Sequence, residues 1–170
     1  MALIAAAASL RADGLDLSHF DLVRTDDGVL LSFAVDFELP HAVDEALQKG
    51  VPLYFVARAE LFRTRWYWRD QRVASAERVW RLAFQPLTRK YRVSFGGLNQ
   101  SYDQLNEALA TIRRISNWKL AEPGQVESDV SHYVEFTYRL DTSLLPRPLQ
   151  IGIAGQPEWS LRLERQQRLE

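Results

Sequence analysis

Apolar and polar residues alternate with a period of two along most of this chain, and no other feature narrows the fold as much. In GVLLSFAVDFEL, Val29, Leu31, Phe33, Val35, Phe37 and Leu39 fall on one face and Ser32, Asp36 and Glu38 on the other. An extended strand gathers such positions into one apolar face, whereas a helix would scatter them around its axis. The preceding Asp26-Asp27-Gly28 predicts a hairpin turn from LDLSHFDLVR. Val51, Leu53, Phe55, Ala57, Ala59 and Leu61 alternate in the same way. So do Ala74, Ala76, Trp80, Leu82 and Phe84, then Tyr91, Val93 and Phe95 after the turn at Pro86, and later Val130, His132, Val134, Phe136, Tyr138 and Leu140.

Two segments carry helical spacing instead. PHAVDEALQKG has Pro40 at its start, Val43, Ala46 and Leu47 on one side, and Gly50 as a C-terminal stop. In SYDQLNEALATIRRI, Ser101 and Gln104 have capping-box spacing, and Leu105, Ala108, Leu109 and Ile112 form a stripe. LLPRPLQ is too proline-rich for a central strand. Short strands are expected near Ile151 and from Trp159 to Leu163, with a polar tail, residues 165–170, that frays. Seven to nine short strands with two helical insertions predict a mainly β fold, an antiparallel β-sandwich of immunoglobulin-like type, as a single domain over residues 13–164.

At 170 residues, 46% hydrophobic and 25% charged, the chain has a globular composition and length for one core. Its net charge of −1 argues against a general nucleic-acid or membrane-surface binder. That total conceals segregation. Residues 1–57 hold nine acids and three bases, residues 58–92 ten bases and three acids, and residues 93–170 eight bases and ten acids. The absence of cysteine excludes disulfides, thiolate zinc sites and a cysteine nucleophile. His19, His41 and His132 are isolated in sequence and read as structural or surface residues, so no metal and no cofactor is expected. Asp36 and Glu38 share a strand face, but ion pairing to arginine is the simpler use for them than paired-carboxylate chemistry. No nucleophile elbow, P-loop or dinucleotide glycine pattern occurs. Gly96-Gly97 is accounted for as a turn out of a strand.

The densest chemical signal is FRTRWYWRDQR, Phe62 to Arg72, within the basic segment. Odd positions are apolar up to Leu61, yet Arg63 and Arg65 come next, so a bulge, bend or strand end is expected near Phe62 to Thr64. Beyond that break, parity places Trp66 and Trp68 in the core and Arg65, Tyr67 and Arg69 outside. The arginines could then pair with Asp36 or Glu38. The competing reading is a partner-binding patch made of Arg63, Arg65, Tyr67, Arg69 and Arg72. Interleaved arginine and aromatic residues also suit nucleic-acid stacking, but the overall neutrality argues against it.

MALIAAAASLRADG opens with an apolar run from Ala2 to Leu10 that is too short to span a bilayer and ends in small residues near Ala8 and Ala12. Residues 1–12 therefore read as the remnant of an export signal, with a cytoplasmic N-terminus as the alternative. No later segment reaches transmembrane length.

In order, DFELPHAVDEALQKGVPLYFV, RTRWYW, SAERVWRLAFQPLTRKYRVSFGGLNQSY, EALATIRRISNW and YRLDTSLLPRPLQ resemble the proteobacterial family called domain of unknown function 4390, also labelled "proline-rich signal peptide protein". The resemblance runs from about Asp13 to Leu163. It implies an exported, periplasmic protein whose gene neighbours encode a membrane sensor kinase and a response regulator of the nitrogen-regulation type. It supplies no catalytic residues. The expected function is a non-enzymatic protein-binding or adaptor domain, with the extracytoplasmic region of a sensor kinase as candidate partner. The alternative is a module binding a small anion, glycan or lipid.

Overall fold

A computed structural model describes residues 14–170. The export-signal expectation for residues 1–12 lies outside the described residues. Among the described residues, nine strands form two antiparallel sheets. The smaller has the order β1–β2–β7, from β1 (Asp16–Thr25), β2 (Gly28–Asp36) and β7 (Arg114–Ala121). The larger has the order β6–β5–β4–β3–β8–β9, from β3 (Leu53–Arg63), β4 (Gln71–Gln85), β5 (Lys90–Phe95), β6 (Leu98–Tyr102), β8 (His132–Leu140) and β9 (Arg162–Leu169).

The alternating faces meet between the sheets. Val29, Leu31, Phe33 and Val35 from β2 are buried, as are Phe55, Ala57, Ala59 and Leu61 from β3 and Val134, Phe136 and Tyr138 from β8. Aromatic rings bridge the layers: Phe33 lies 4.7 Å from Phe136, and Phe37 stacks on Phe55 at 5.4 Å. Trp80 of β4 sits beside Tyr138 at 6.1 Å. The strand expectation missed one member of the β4 face. Arg78 pairs opposite the buried Ala57, and its guanidinium lies over Phe95 and Trp118 at the margin of the core. Desolvation there pulls its pKa below the usual arginine value.

The β1–β2 hairpin closes through Asp26 and Asp27, and Gly28 has φ +121. A Cβ at Gly28 would lie 2.0 Å from the carbonyl oxygen of Ala121, so both backbone conformation and close approach require glycine. Helix α1 (His41–Gln48) seats Val43 and Leu47 in the core. Helix α2 (Leu105–Ile112) buries Ala108, Leu109 and Ile112, and the Tyr138 hydroxyl donates a 2.6 Å hydrogen bond to the Ile112 carbonyl.

Three local expectations are corrected. Ser101 is no cap: it lies in β6 opposite Arg92, and α2 begins three residues after Gln100–Ser101–Tyr102 ends the strand pairing, with Gln104 at its N-cap. Gly96 and Gly97, at φ +51 and +82, make a tight hairpin turn, so the strand ladder claims the segment before a helix can start. Ile151 belongs not to a strand but to helix α3 (Arg147–Ile153), preceded by Pro146 at φ −55. Residues 165–169 do not fray. They continue β9 along β8, with His132 opposite Leu169, and bury Leu163 and Leu169 beneath a solvent-facing Arg and Gln side. The polar look of that tail is what an edge strand with one wet face requires.

Candidate docking site at the β3–β4 tip

Strands β3 and β4 pair from Leu53–Leu82 to Arg63–Gln71, with one irregularity: Leu61 faces Ala74 while Phe62 faces Arg72. The register therefore breaks where the parity change in the sequence placed it, with Val73 as the extra residue on β4. Pairing stops at Arg63, and residues 64–70 cross over as a loop.

The loop overturns the expectation for its tryptophans. Trp66 is 94% exposed and Trp68 70%, with Tyr67 at 66%. Parity assigns faces only while the chain remains a strand, and here the ladder has ended before either indole is reached. Leaving an indole in water forgoes on the order of 2–3 kcal/mol of burial free energy. Three consecutive aromatics do so at one loop apex.

The loop is nevertheless tied down. Asp70 Oδ1 accepts from the Arg65 backbone N–H at 3.2 Å, and Asp70 Oδ2 accepts from the Tyr133 hydroxyl at 2.6 Å. Thr64 N–H donates to the Ser131 carbonyl at 3.0 Å, and Tyr133 stacks on Phe62 with centroids 5.3 Å apart. The bond from Tyr133, followed by that from Arg65, holds the Asp70 carboxyl below its ordinary pKa. The same Asp70 bond, with some desolvation, pushes Tyr133 up to about 12. Trp66 and Tyr67 meet edge-on at 76°, so the two rings do not share a plane.

The five sequence-predicted contact residues do gather here, but in two tiers. Arg63 and Arg72 stand at the last rungs of the hairpin. Arg63 pairs with Glu127 at 3.2 Å and Arg72 with Glu60 at 3.3 Å. Arg65 and Arg69 flank the aromatic apex, and among the described residues neither has a carboxylate within ion-pair distance of its side chain. Tyr67 lies between them. The expected pairing of these arginines with Asp36 or Glu38 does not occur. Asp36 ends β2 and Glu38 follows it, on either side of Phe37, which stacks on Phe55 near the start of β3, whereas the tip is at its far end. Glu60 and Glu127, which sequence reading did not single out, are the real partners.

His132 is buried opposite Arg63, beside the last rungs of the hairpin. Its Nδ1 is 2.9 Å from the Val130 carbonyl and its Nε2 has no partner, and desolvation lowers its pKa. Among the described residues no three His, Asp or Glu side chains are arranged to hold a metal ion. No described helix is long and apolar enough to cross a membrane. A cavity of about 700 Å³ lies open on the outer face of the larger sheet. It is lined by Arg58, Arg139, Arg162 and Arg165 together with Glu60, Glu135 and Glu164. Three of those arginines are already paired, with Glu60, Asp141 and Glu164.

No curated protein and no solved structure matches this chain. A family model does, over residues 12–168 and thus nearly the whole length, and the chain belongs to that family, Domain of unknown function (DUF4390).

Proposed function

We propose that this chain is a non-enzymatic, exported adaptor domain of the periplasm that binds a protein partner through the β3–β4 tip. The supporting observation is the exposure of Trp66, Tyr67 and Trp68 on a loop pinned by Asp70. Tryptophan, tyrosine and arginine are the residues that dominate binding hot spots, and a preorganised loop loses little entropy on docking. Arg63, Arg65, Tyr67, Arg69 and Arg72 form the contact set. The extracytoplasmic region of a membrane sensor kinase, the neighbour that the family resemblance implies, is the first partner to try.

Crosslinking the purified domain to that region tests the reading. Replacing Arg63, Arg65 and Arg69 together by Ala is expected to abolish the crosslink. An undiminished crosslink would reject the tip as the contact surface. Fractionation of cells expressing the full chain checks export, with recovery in the cytoplasm as the contrary result. The alternative of a small anion, glycan or lipid module has the open cavity in its favour, but the ion pairs there leave few free guanidiniums for a ligand.

A further inference from the structure

The two tiers of the tip have different chemistry. The rung arginines Arg63 and Arg72 are engaged with Glu127 and Glu60, at the edge of a surface rich in further charge. The apex presents three aromatic rings to solvent and carries Arg65 and Arg69 on its shoulders. Trp66 and Tyr67 are set at 76° to one another, so their rings offer no single flat stacking face. A protein partner would need a surface shaped to both rings. A bilayer interface needs no such shape.

Trp and Tyr rings favour the headgroup level of a bilayer, where an apolar body and a polar N–H or O–H are both accommodated. Arginines just behind such rings reach lipid phosphates with their guanidinium groups while their stems lie along the apolar layer. Polybasic residues gain further from an anionic leaflet, in a salt-dependent way. The overall charge of −1 weighs against a molecule lying broadside on an anionic surface. It does not weigh against contact confined to one tip, because charges farther off than about a Debye length, roughly 10 Å at 0.1 M salt, are screened.

We infer that the β3–β4 tip seats in the interface of an anionic phospholipid bilayer, with Trp66, Tyr67 and Trp68 at headgroup depth and Arg65 and Arg69 on lipid phosphates. This goes beyond the adaptor reading and rests on it only in taking the tip as a docking element. Of the five contact residues it assigns Arg65, Tyr67 and Arg69 to lipid, and it leaves Arg63, Arg72 and the adjacent sheet face to meet the membrane-held protein partner.

Flotation of the purified chain with phosphatidylcholine vesicles, with and without phosphatidylglycerol, tests the inference. Expected is association with the phosphatidylglycerol vesicles, a blue shift of tryptophan emission, and quenching by lipids brominated near the headgroup. Trp66→Ala with Trp68→Ala should weaken association tenfold or more. Arg65→Ala with Arg69→Ala should weaken it less and flatten its dependence on salt. Circular dichroism of both variants should match the parent, because none of the four side chains lies in the core. Absence of vesicle association, or association indifferent to Trp66→Ala with Trp68→Ala, would overturn the inference. A sensor-kinase crosslink that persists without vesicle binding would remove the lipid contact and leave the adaptor reading standing. A crosslink that itself needs Trp66 and Trp68 would assign the apex to protein and overturn the lipid assignment.

Discussion

The two ends of one hairpin treat tryptophan in opposite ways. Trp80, on β4, is 1% exposed and packs beside Phe55 and Tyr138, while Trp66, in the loop joining β3 to β4, is 94% exposed. Both sit in segments rich in arginine. The difference is what faces them. At the Trp80 end Phe37, just after β2, stacks on Phe55 opposite Trp80, and α1 packs against β4. At the other end the ladder has finished, and hydrogen bonds to the Asp70 carboxylate and the Ser131 carbonyl hold the loop without covering the rings. Aromatic residues in a strand are thus held by a second layer, and aromatic residues in a loop are held only by whatever the loop meets.

The most forceful way to break this comparison is Trp80→Ala. Removing a buried indole should cost about 3–5 kcal/mol and lower the unfolding midpoint sharply in a thermal or urea melt. A small loss would mean that the core at that end is not closed. Next comes Tyr138→Phe, which leaves the Ile112 carbonyl without its 2.6 Å donor and should cost about 1–3 kcal/mol in the same melts.

The tip should respond to pH and to Asp70, with little effect on global stability. Tyr133 has a raised folded pKa, so what its neutral hydroxyl contributes to loop order is fully present below about 10 and is lost as pH rises through about 12. Asp70 has a depressed one, so its contribution is present above the ordinary carboxyl range and is lost as pH falls through the lowered value. Ultraviolet titration should show one tyrosine ionising near 12, and Asp70→Ala should bring it down toward the usual 10. Amide exchange in residues 64–70 should quicken in the same variant. An unshifted titration would show that the Asp70–Tyr133 bond does not hold the loop. Trp66→Ala sharpens the contrast from the other side: stability should stay within about 0.5 kcal/mol of the parent, as for other exposed sites. A drop comparable with that of Trp80→Ala would place the ring in a packed environment after all.

Most of the fold was legible in the residues. Strict alternation in β2, β3, β5 and β8 put the correct side chains into the core, because period two has one solution when one face must be dry. The hairpin at Asp26–Asp27, helix α1 and the register break after Leu61 were legible for similar local reasons. The failures have a common cause. Ser101 is drawn into β6 by pairing with β5, and residues 165–169 are held by pairing with β8. In each case the hydrogen-bonded ladder to a neighbouring strand outweighs local propensity. At the tip the contact set Arg63, Arg65, Tyr67, Arg69 and Arg72 was found as a cluster of residue types, whereas Trp66 and Trp68 were assigned to the core by extending a strand parity past the strand's end.

The sequence by itself determined that this chain forms extended, one-side-apolar strands closing on a single β core, since alternation is a property of each segment alone. Only the tertiary structure decided where the β3–β4 ladder stops and which carboxylates its arginines meet. Those depend on the reach of hydrogen-bonded neighbours and on distance in space, and neither is encoded in the spacing of one segment.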